Sequence, residues 1–327
     1  MMLCITQNIK RLISITAFLI CTSFCFSDSV TFMTFNIQGL DFFETDGENR
    51  TENVKKILID SKADIILLQE IKLDRFFEKT KGDEYESELE QNLKNMLGYS
   101  WKLSTTSKRE YRGKYLKKNG KDFEGRPSSQ NNAIIYNSSK LRLIRDFGEI
   151  FNWDQTGTSF SSCIYPHHKN SFMVLEFEER SSKQTFLLIN VHLPYNNYLH
   201  RTEDFQTLLE IVDNLRNVWS RKFIIIGGDF NLTFEELKYN DLQNLNYFYN
   251  LDAEKEIKTT VSGKDSNFLV NSYDHFFWSK ELKDMIEIPV DYAVKVDEFQ
   301  KKIYNFANTT YKDSVSDHVP LSMTIKF

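Results

Sequence analysis

Cysteine is almost missing from the part of this chain that could fold. Of its four cysteines, Cys4, Cys21 and Cys25 fall in the opening segment, and Cys163 stands alone in the remainder. A single thiol makes no intrachain disulfide, so stability has to come from a core. Glycine and proline are sparse as well, at 12 and 5 in 327 residues, and no low-complexity linker or internal repeat is present. Those absences argue against a disordered or solenoid protein and leave one globular domain over residues 28–327 as the simplest organisation. Only one long apolar run exists, Leu12 to Phe26, preceded by Lys10 and Arg11 and followed by small Ser27. It is short and abruptly ended for a spanning helix, and its layout is that of a signal peptide over residues 1–27. An uncleaved anchor is the alternative. The expectation is a secreted or periplasmic monomer with no stable membrane span after cleavage.

Positive charge is also in short supply. The formal net charge is -5, and loss of Lys10 and Arg11 with the signal takes it to about -7. Such a chain is not held to nucleic acid or to an anionic membrane by its global charge; any grip on a polyanion has to be local.

Apolar segments are what the chain does have. "VTFMTFN" (30–36), "DIILLQE" (64–70), "TFLLINVHL" (185–193) and "KFIIIGGDFN" (222–231) are apolar on both alternating faces, as strands covered on both sides are. Amphipathic helices are expected between them. One runs from Thr202 to Trp219 with Phe205, Leu208, Leu209, Val212, Leu215 and Trp219 on one face; the other spans Arg50 to Ser61 and presents Val54, Ile57 and Leu58. Residues 130–193 read mainly as strands. The pattern implies two packed sheets with helices outside, an α/β sandwich.

These strands share a chemistry at one end. Asn36, Glu70 and His192 close the first three, Asp229 and Asn231 close the fourth, Asp274 lies in "SYDHFFW", and Asp317 with His318 precede the last strand in "SDHVP". Any one of them alone reads as a cap, a turn residue or a solvated side chain. The same placement at six strand ends is hard to assign to unrelated caps. Carboxylates and amide oxygens are hard ligands suited to Mg²⁺, with Mn²⁺ or Ca²⁺ as alternatives, and the lack of a Cys cluster or an H-x-x-x-H pair argues against zinc. A hard cation beside imidazoles and carboxylates is equipped to hydrolyse phosphate esters. In this reading Gly227 and Gly228 let the backbone approach an anionic substrate, and Asp229 and Asn231, two apart on an extended segment, point the same way.

At these residues the chain resembles the endonuclease/exonuclease/phosphatase superfamily, in its deoxyribonuclease I-like form. "FNIQG", "LLQEIK", "NVHL", "GGDFN", "YDHFFWS" and "SDHVPL" occur in the family's order through nearly the whole chain. The resemblance implies a four-layered αββα sandwich of two packed mixed β-sheets with helices outside, and metal-dependent phosphoester cleavage by in-line attack of water. It implies that Glu70, Asn36 and Asp317 bind the metal, that His318 pairs with Asp274, that Asp229 positions or deprotonates water, that Asn231 holds a phosphate oxygen, and that His192 is the second family histidine. Two departures stand out. Gln130 occupies the place of a glutamate that supports the first histidine, and Tyr165, His167 and His168 occupy the neighbourhood of a phosphate-clamping arginine.

The substrate is not given by the resemblance. One local feature bears on it: residues 101–126 carry nine Lys/Arg against three Asp/Glu, interleaved with Trp101, Tyr111, Tyr115 and Phe123. Such a patch could grip a phosphate backbone and stack on bases, or could be a solvated loop. Nucleic acid, and DNA in particular, is the expected substrate. A phospholipid phosphodiesterase, an inositol-phosphate or nucleotide phosphomonoesterase, and a non-catalytic polyanion-binding protein are the alternatives.

Overall fold

The computed structural model describes residues 29–40, 48–71, 91, 94–98, 100–105, 131–147, 172–195, 197–217, 220–239, 248–250, 257–261, 269–287 and 315–327. The expected signal peptide, Gln130, Tyr165, His167, His168, Trp219 and residues 106–126 of the basic segment lie outside these. Among the described residues no helix is long and apolar enough to cross a membrane.

In chain order the elements are β1 (Ser29–Leu40), α1 (Glu48–Asp60), β2 (Ile65–Ile71), β3 (Trp101–Thr105), β4 (Asn131–Asn137), β5 (Leu141–Asp146), β6 (Phe172–Glu179), β7 (Thr185–His192), α2 (Tyr198–Asn217), β8 (Ile224–Asp229), α3 (Phe234–Tyr239), β9 (Phe248–Asn250), β10 (Asp274–Ser279), β11 (Ile286–Glu287) and β12 (Leu321–Lys326). The strands form two six-stranded sheets, ordered β11-β12-β1-β2-β4-β3 and β5-β6-β7-β8-β10-β9. Each is mixed for the same reason. One strand–helix–strand unit, β1-α1-β2 or β7-α2-β8, gives a parallel pair, and its neighbours are antiparallel.

Side-chain alternation sorts the core into three layers. Val30 and Phe32 of β1 and Ile65 and Leu67 of β2 face the other sheet, meeting Phe177, Phe186, Leu188, Ile225 and Phe276. Met33 and Phe35, with Ile66 and Leu68, turn the other way onto Val54, Ile57 and Leu58 of α1. On the second sheet Leu187, Ile189 and Ile226 face Phe205, Leu208, Val212 and Leu215 of α2. The strands read as unbroken apolar runs because each is covered on both faces. This is the expected αββα sandwich. Each of these large side chains contributes about 1.5–3 kcal/mol by leaving water, which accounts for a stable domain without disulfides.

Two details differ from the sequence reading. The glycines of β8 are demanded by the sheet itself. A Cβ on Gly227 would lie 2.4 Å from the Phe276 ring, and one on Gly228, at φ +147°, would lie 2.0 Å from the Val191 carbonyl oxygen. Gly227 pairs directly with Phe276 across β8 and β10, so the absent side chain is the space the aromatic ring fills. Trp101, grouped with the stacking aromatics of the basic segment, is 8% exposed and belongs to the layer under α1. Residues 248–250 form the edge strand β9, paired with β10.

Candidate functional site

The inter-sheet layer changes character at one end. Continuing the alternation that buries Phe32, Leu188 and Phe276, the next positions toward that end are Thr34 and Asn36 on β1, Asn190 and His192 on β7, Gly227 and Asp229 on β8, and Asp274 on β10. The apolar layer thus gives way to polar side chains where the parallel strands finish and β10 begins. Register fixes the arrangement further. His192 pairs with Asp229, and Asp229 pairs with Asp274, so three functional groups stand in one row across adjacent strands. From the other sheet, the 316–318 loop brings Asp317 and His318 to the same end, with the Ser316 hydroxyl donating to the Asn36 carbonyl at 2.7 Å.

The expected pair is formed. His318 Nδ1 lies 2.7 Å from Asp274 Oδ2, and His318 Nε2 lies 3.6 Å from Asp229 Oδ2. Burial alone would lower the imidazole's pKa, but the charges of Asp274, Asp229 and Asp317 and the Asp274 hydrogen bond outweigh it and push it up to about 10. His318 is therefore an imidazolium at neutral pH. Burial raises the pKa of Asp229, helped by the Asp274 charge, while His318, His192 and the Asn36 amide oppose the rise.

Asp229 is held on both oxygens. Asn36 Nδ2 donates to Oδ2 at 2.9 Å, and the Asn231 backbone N–H donates to Oδ1 at 2.8 Å. That last bond closes a tight side-chain turn with Asn231 at φ +48°. Asp229 and Asn231 therefore meet through a turn in the left-handed region, not through extended spacing. Asn231 Nδ2 donates to the Leu193 carbonyl at 2.9 Å, tying the ends of β7 and β8 together. His192, 4% exposed, places Nε2 at 3.5 Å from Glu70 Oε1 and 3.9 Å from Asp229 Oδ2. Carboxylates thus face it.

Glu70 sits at the rim, its side chain 24% exposed. Burial raises its pKa and the nearby Asp317 raises it further, against the Asn36 hydrogen bond and the charges of His318 and Arg50. Asn36 Nδ2 reaches Glu70 Oε1 at 3.1 Å, while Asn36 Oδ1 accepts the Gln38 N–H at 2.9 Å. In this arrangement the Asn36 nitrogen orients Glu70, and its oxygen keeps a second lone pair beside the bond from Gln38. Gln38 Nε2 donates to Asp317 Oδ2 at 3.0 Å.

Two sets of groups have the makings of a cation site. Asp229, Asp274 and His318 offer atoms within 4.8 Å of one another. A protonated imidazole, however, donates protons and has no lone pair for a metal, so that trio is better suited to holding charge on His318. Glu70 and Asp317 are the better fit: two carboxylates, the charge of Asp317 raising the pKa of Glu70, with oxygen atoms only, at a wall open to solvent.

Several supporting residues escape sequence reading. Arg50 Nε donates to the Val315 carbonyl at 2.8 Å and an Arg50 terminal amine to the Gln38 carbonyl at 2.8 Å, stitching α1 to the ends of β1 and the 316–318 loop. Sequence identifies Arg50 only as a helix start. Thr259 Oγ1 accepts the Asp274 N–H at 3.1 Å, and Val261 N donates to the Asp317 carbonyl at 2.8 Å, so residues 257–261 strap one sheet's site residues to the other's. That strap has no periodicity or motif to reveal it.

The model for the Endonuclease/Exonuclease/phosphatase family matches residues 33–318. No curated protein matches by sequence. Among solved structures, an endonuclease/exonuclease/phosphatase from Bacteroides vulgatus is similar at 15% identity and a TM-score of 0.56, covering 91% of this chain and 98% of that one. D. rerio TDP2 complexed with single-strand DNA product is similar at 15% identity and a TM-score of 0.53, over 92% of this chain and 100% of that one. A mannosyl-6-phosphatase from Bacteroides thetaiotaomicron is similar at 14% and 0.53, over 90% and 98%. At these identities the likeness is one of fold.

Proposed function

This chain belongs to the endonuclease/exonuclease/phosphatase family, and from that premise we propose that it is an exported, divalent-metal-dependent phosphodiesterase acting on nucleic acid, with DNA as its substrate. That it is a phosphoester hydrolase follows from the family; the substrate, the metal and export are the proposal. The observation that supports the chemistry is the buried imidazole of His318, held by Asp274 at 2.7 Å and turned toward Asp229.

In-line hydrolysis forms a bond from water oxygen to phosphorus and breaks the bond to the leaving oxygen, so a proton has to leave the water and charge on the phosphoryl oxygens has to be met. Asp229, fixed by Asn36 and by the Asn231 N–H, orients the water and takes its proton. His318, its ring fixed through Nδ1, meets phosphoryl charge with a positively charged N–H. His192 presents its imidazole to the same space. Mg²⁺ bound by Glu70 and Asp317 would neutralise phosphoryl charge and stabilise the leaving oxygen.

Support for a nucleic-acid substrate comes from the basic segment of residues 101–126, with an excess of positive charge on a chain of net charge -5. The test is cleavage of supercoiled plasmid, RNA, sphingomyelin, inositol phosphates and a sugar 6-phosphate, in Mg²⁺ and in EDTA. Plasmid nicking that stops in EDTA is expected. Activity confined to the sugar or inositol phosphates would make the protein a phosphomonoesterase and overturn the reading.

A further inference from the structure

Glu70 is on the wrong face of its strand. On β2, Ile66 and Leu68 point to α1 and Ile65 and Leu67 point to the other sheet, so strict alternation would send residue 70 under the helix, away from the site. The strand avoids this by losing register. Leu68 pairs with Ala133, but the next pair is Ile71 with Asn131, and Ile71 rejoins the layer under α1 with Ile66 and Leu68. The extra residue is absorbed by Glu70 at φ +54°, an uncommon conformation for a glutamate. The bulge is what re-aims its carboxylate into the site.

A bulge needs something to hold it at one position rather than a residue earlier or later. Asn190, wholly buried on β7 of the opposite sheet, donates from Nδ2 to the carbonyls of Leu68 and Ala133, each at 3.0 Å. Those are the two residues of the last regular pair before the shift. Asn190 Oδ1 in turn accepts from Gln69 Nε2 at 2.7 Å, and Gln69 Nε2 also reaches Thr34 Oγ1 at 3.0 Å. Gln69 is wholly buried too and is the residue directly before Glu70. Two amides are costly to bury unless bonded, and here their bonds tie the Leu68–Gln69 step of β2 to β7 and to its neighbours β1 and β4.

We propose that the Gln69–Asn190 amide bridge between the two sheets sets the place where β2 breaks register, and so makes Gln69 and Asn190 positioning residues that aim Glu70. Shifting the break by one residue would return the Glu70 side chain to the α1 face. This rests on the reading of Glu70 as a cation ligand only for its functional consequence; the structural claim stands apart from it.

The experiment uses Gln69→Met, which keeps the length and apolar shape of the side chain and leaves Asn190 its two carbonyls, together with Asn190→Ala. The control is Phe186→Leu, in the same inter-sheet layer but at the opposite end of β7 from the site. Each purified variant is titrated with Mn²⁺ alone, followed by electron paramagnetic resonance, and its melting temperature is recorded. A metal-free crystal structure of Gln69→Met is determined as well. The expected result is Mn²⁺ affinity weakened about tenfold or more in the bridge variants, with the control near wild type at a comparable loss of melting temperature, and Glu70 moved out of positive φ in the crystal. Equal weakening in the control would reduce the bridge to general stability, and a Gln69→Met crystal with Glu70 unmoved would overturn the proposal. If Asn190→Ala fails to fold, Gln69→Met decides. Failure of the wild type to bind Mn²⁺ would instead sink the metal reading, and the crystal would still decide the positioning claim.

Discussion

His318 and Asp274 come from different sheets and meet at 2.7 Å through Nδ1 and Oδ2. The imidazole rides on the loop that enters β12, and the carboxylate opens β10. Neither sheet alone contains the pair. Their bond joins a positive charge to the end of the inter-sheet layer where Asp229 and Glu70 wait.

Such a pair acts as one unit. Asp274→Asn and His318→Ala should each lower turnover by at least about a hundredfold, and the double variant should be scarcely worse than His318→Ala. Steady-state kinetics on the three variants measure this; cleanly multiplicative losses would separate the two roles.

The same pair makes a pH-dependent contribution to stability. An imidazole raised from 6.5 to about 10 in the folded state contributes stability that is fully present below pH ~6.5 and is lost as pH rises through ~10. Asp229, whose pKa is raised by burial, favours the fold in its protonated form, so its contribution also weakens with rising pH. The clean readout is the difference in melting temperature between wild type and His318→Gln, measured in EDTA. That difference should shrink from pH 6.5 toward pH 10, and a difference constant over that range would refute the charged state assigned to His318.

Glu70→Gln separates function from folding. Burial of the carboxylate raises its pKa, so ionised Glu70 opposes the fold at neutral pH and its removal should leave the melting temperature in EDTA unchanged or higher. Activity should fall at least about a hundredfold, and the rise in melting temperature that Mg²⁺ gives the wild type should vanish. A variant still stabilised by Mg²⁺ would place the cation elsewhere.

Gly227→Ala tests what the glycine is for. Its methyl would meet the Phe276 ring, and overpacking of this kind costs about 1–3 kcal/mol. Phe276→Leu in the same chain should restore part of the loss by vacating the space. A Gly227→Ala protein of normal stability with a raised KM would instead revive the reading of Gly227 as a substrate contact.

Lys114, Lys117, Lys118 and Lys121, replaced together by Gln, should raise KM for plasmid and flatten its dependence on salt while kcat stays nearly constant, because each phosphate contact contributes a counterion-release term. Identical salt slopes for the two proteins would leave the segment a solvated loop.

The layers were legible from sequence because unbroken apolar strands have only one way to be covered on both faces. The site residues were legible because an apolar alternation that runs into Asn, His and Asp at its last steps marks where the core stops being a core. Less was visible where the chain departs from regularity. The bulge at Glu70 and the turn at Asn231 depend on φ values that no pattern of apolar residues encodes. Gly227 and Gly228 suggested an approaching anion, but their reason was a neighbouring Phe276 ring and a Val191 carbonyl that become neighbours only through long-range pairing. Asn190 and Gln69 sit inside motifs that draw the eye to His192 and Glu70, and their partners lie about 120 residues apart in sequence.

Half of the reactive groups travel with each sheet, which turns the middle layer into a spacer. Changing the volume of Phe32 or Leu188 should alter the gap between Glu70 and Asp317 on one side and the His192–Asp229–Asp274 row on the other, without touching the site itself. Remote packing changes should therefore surface as altered turnover beyond what their loss of melting temperature explains. By the same logic, an anion seated across the seam would act as a rivet, slowing the separation of two half-molecules that are otherwise joined there by the strap at residues 257–261 and by hydrogen bonds such as Asn36–Asp229 and His318–Asp274.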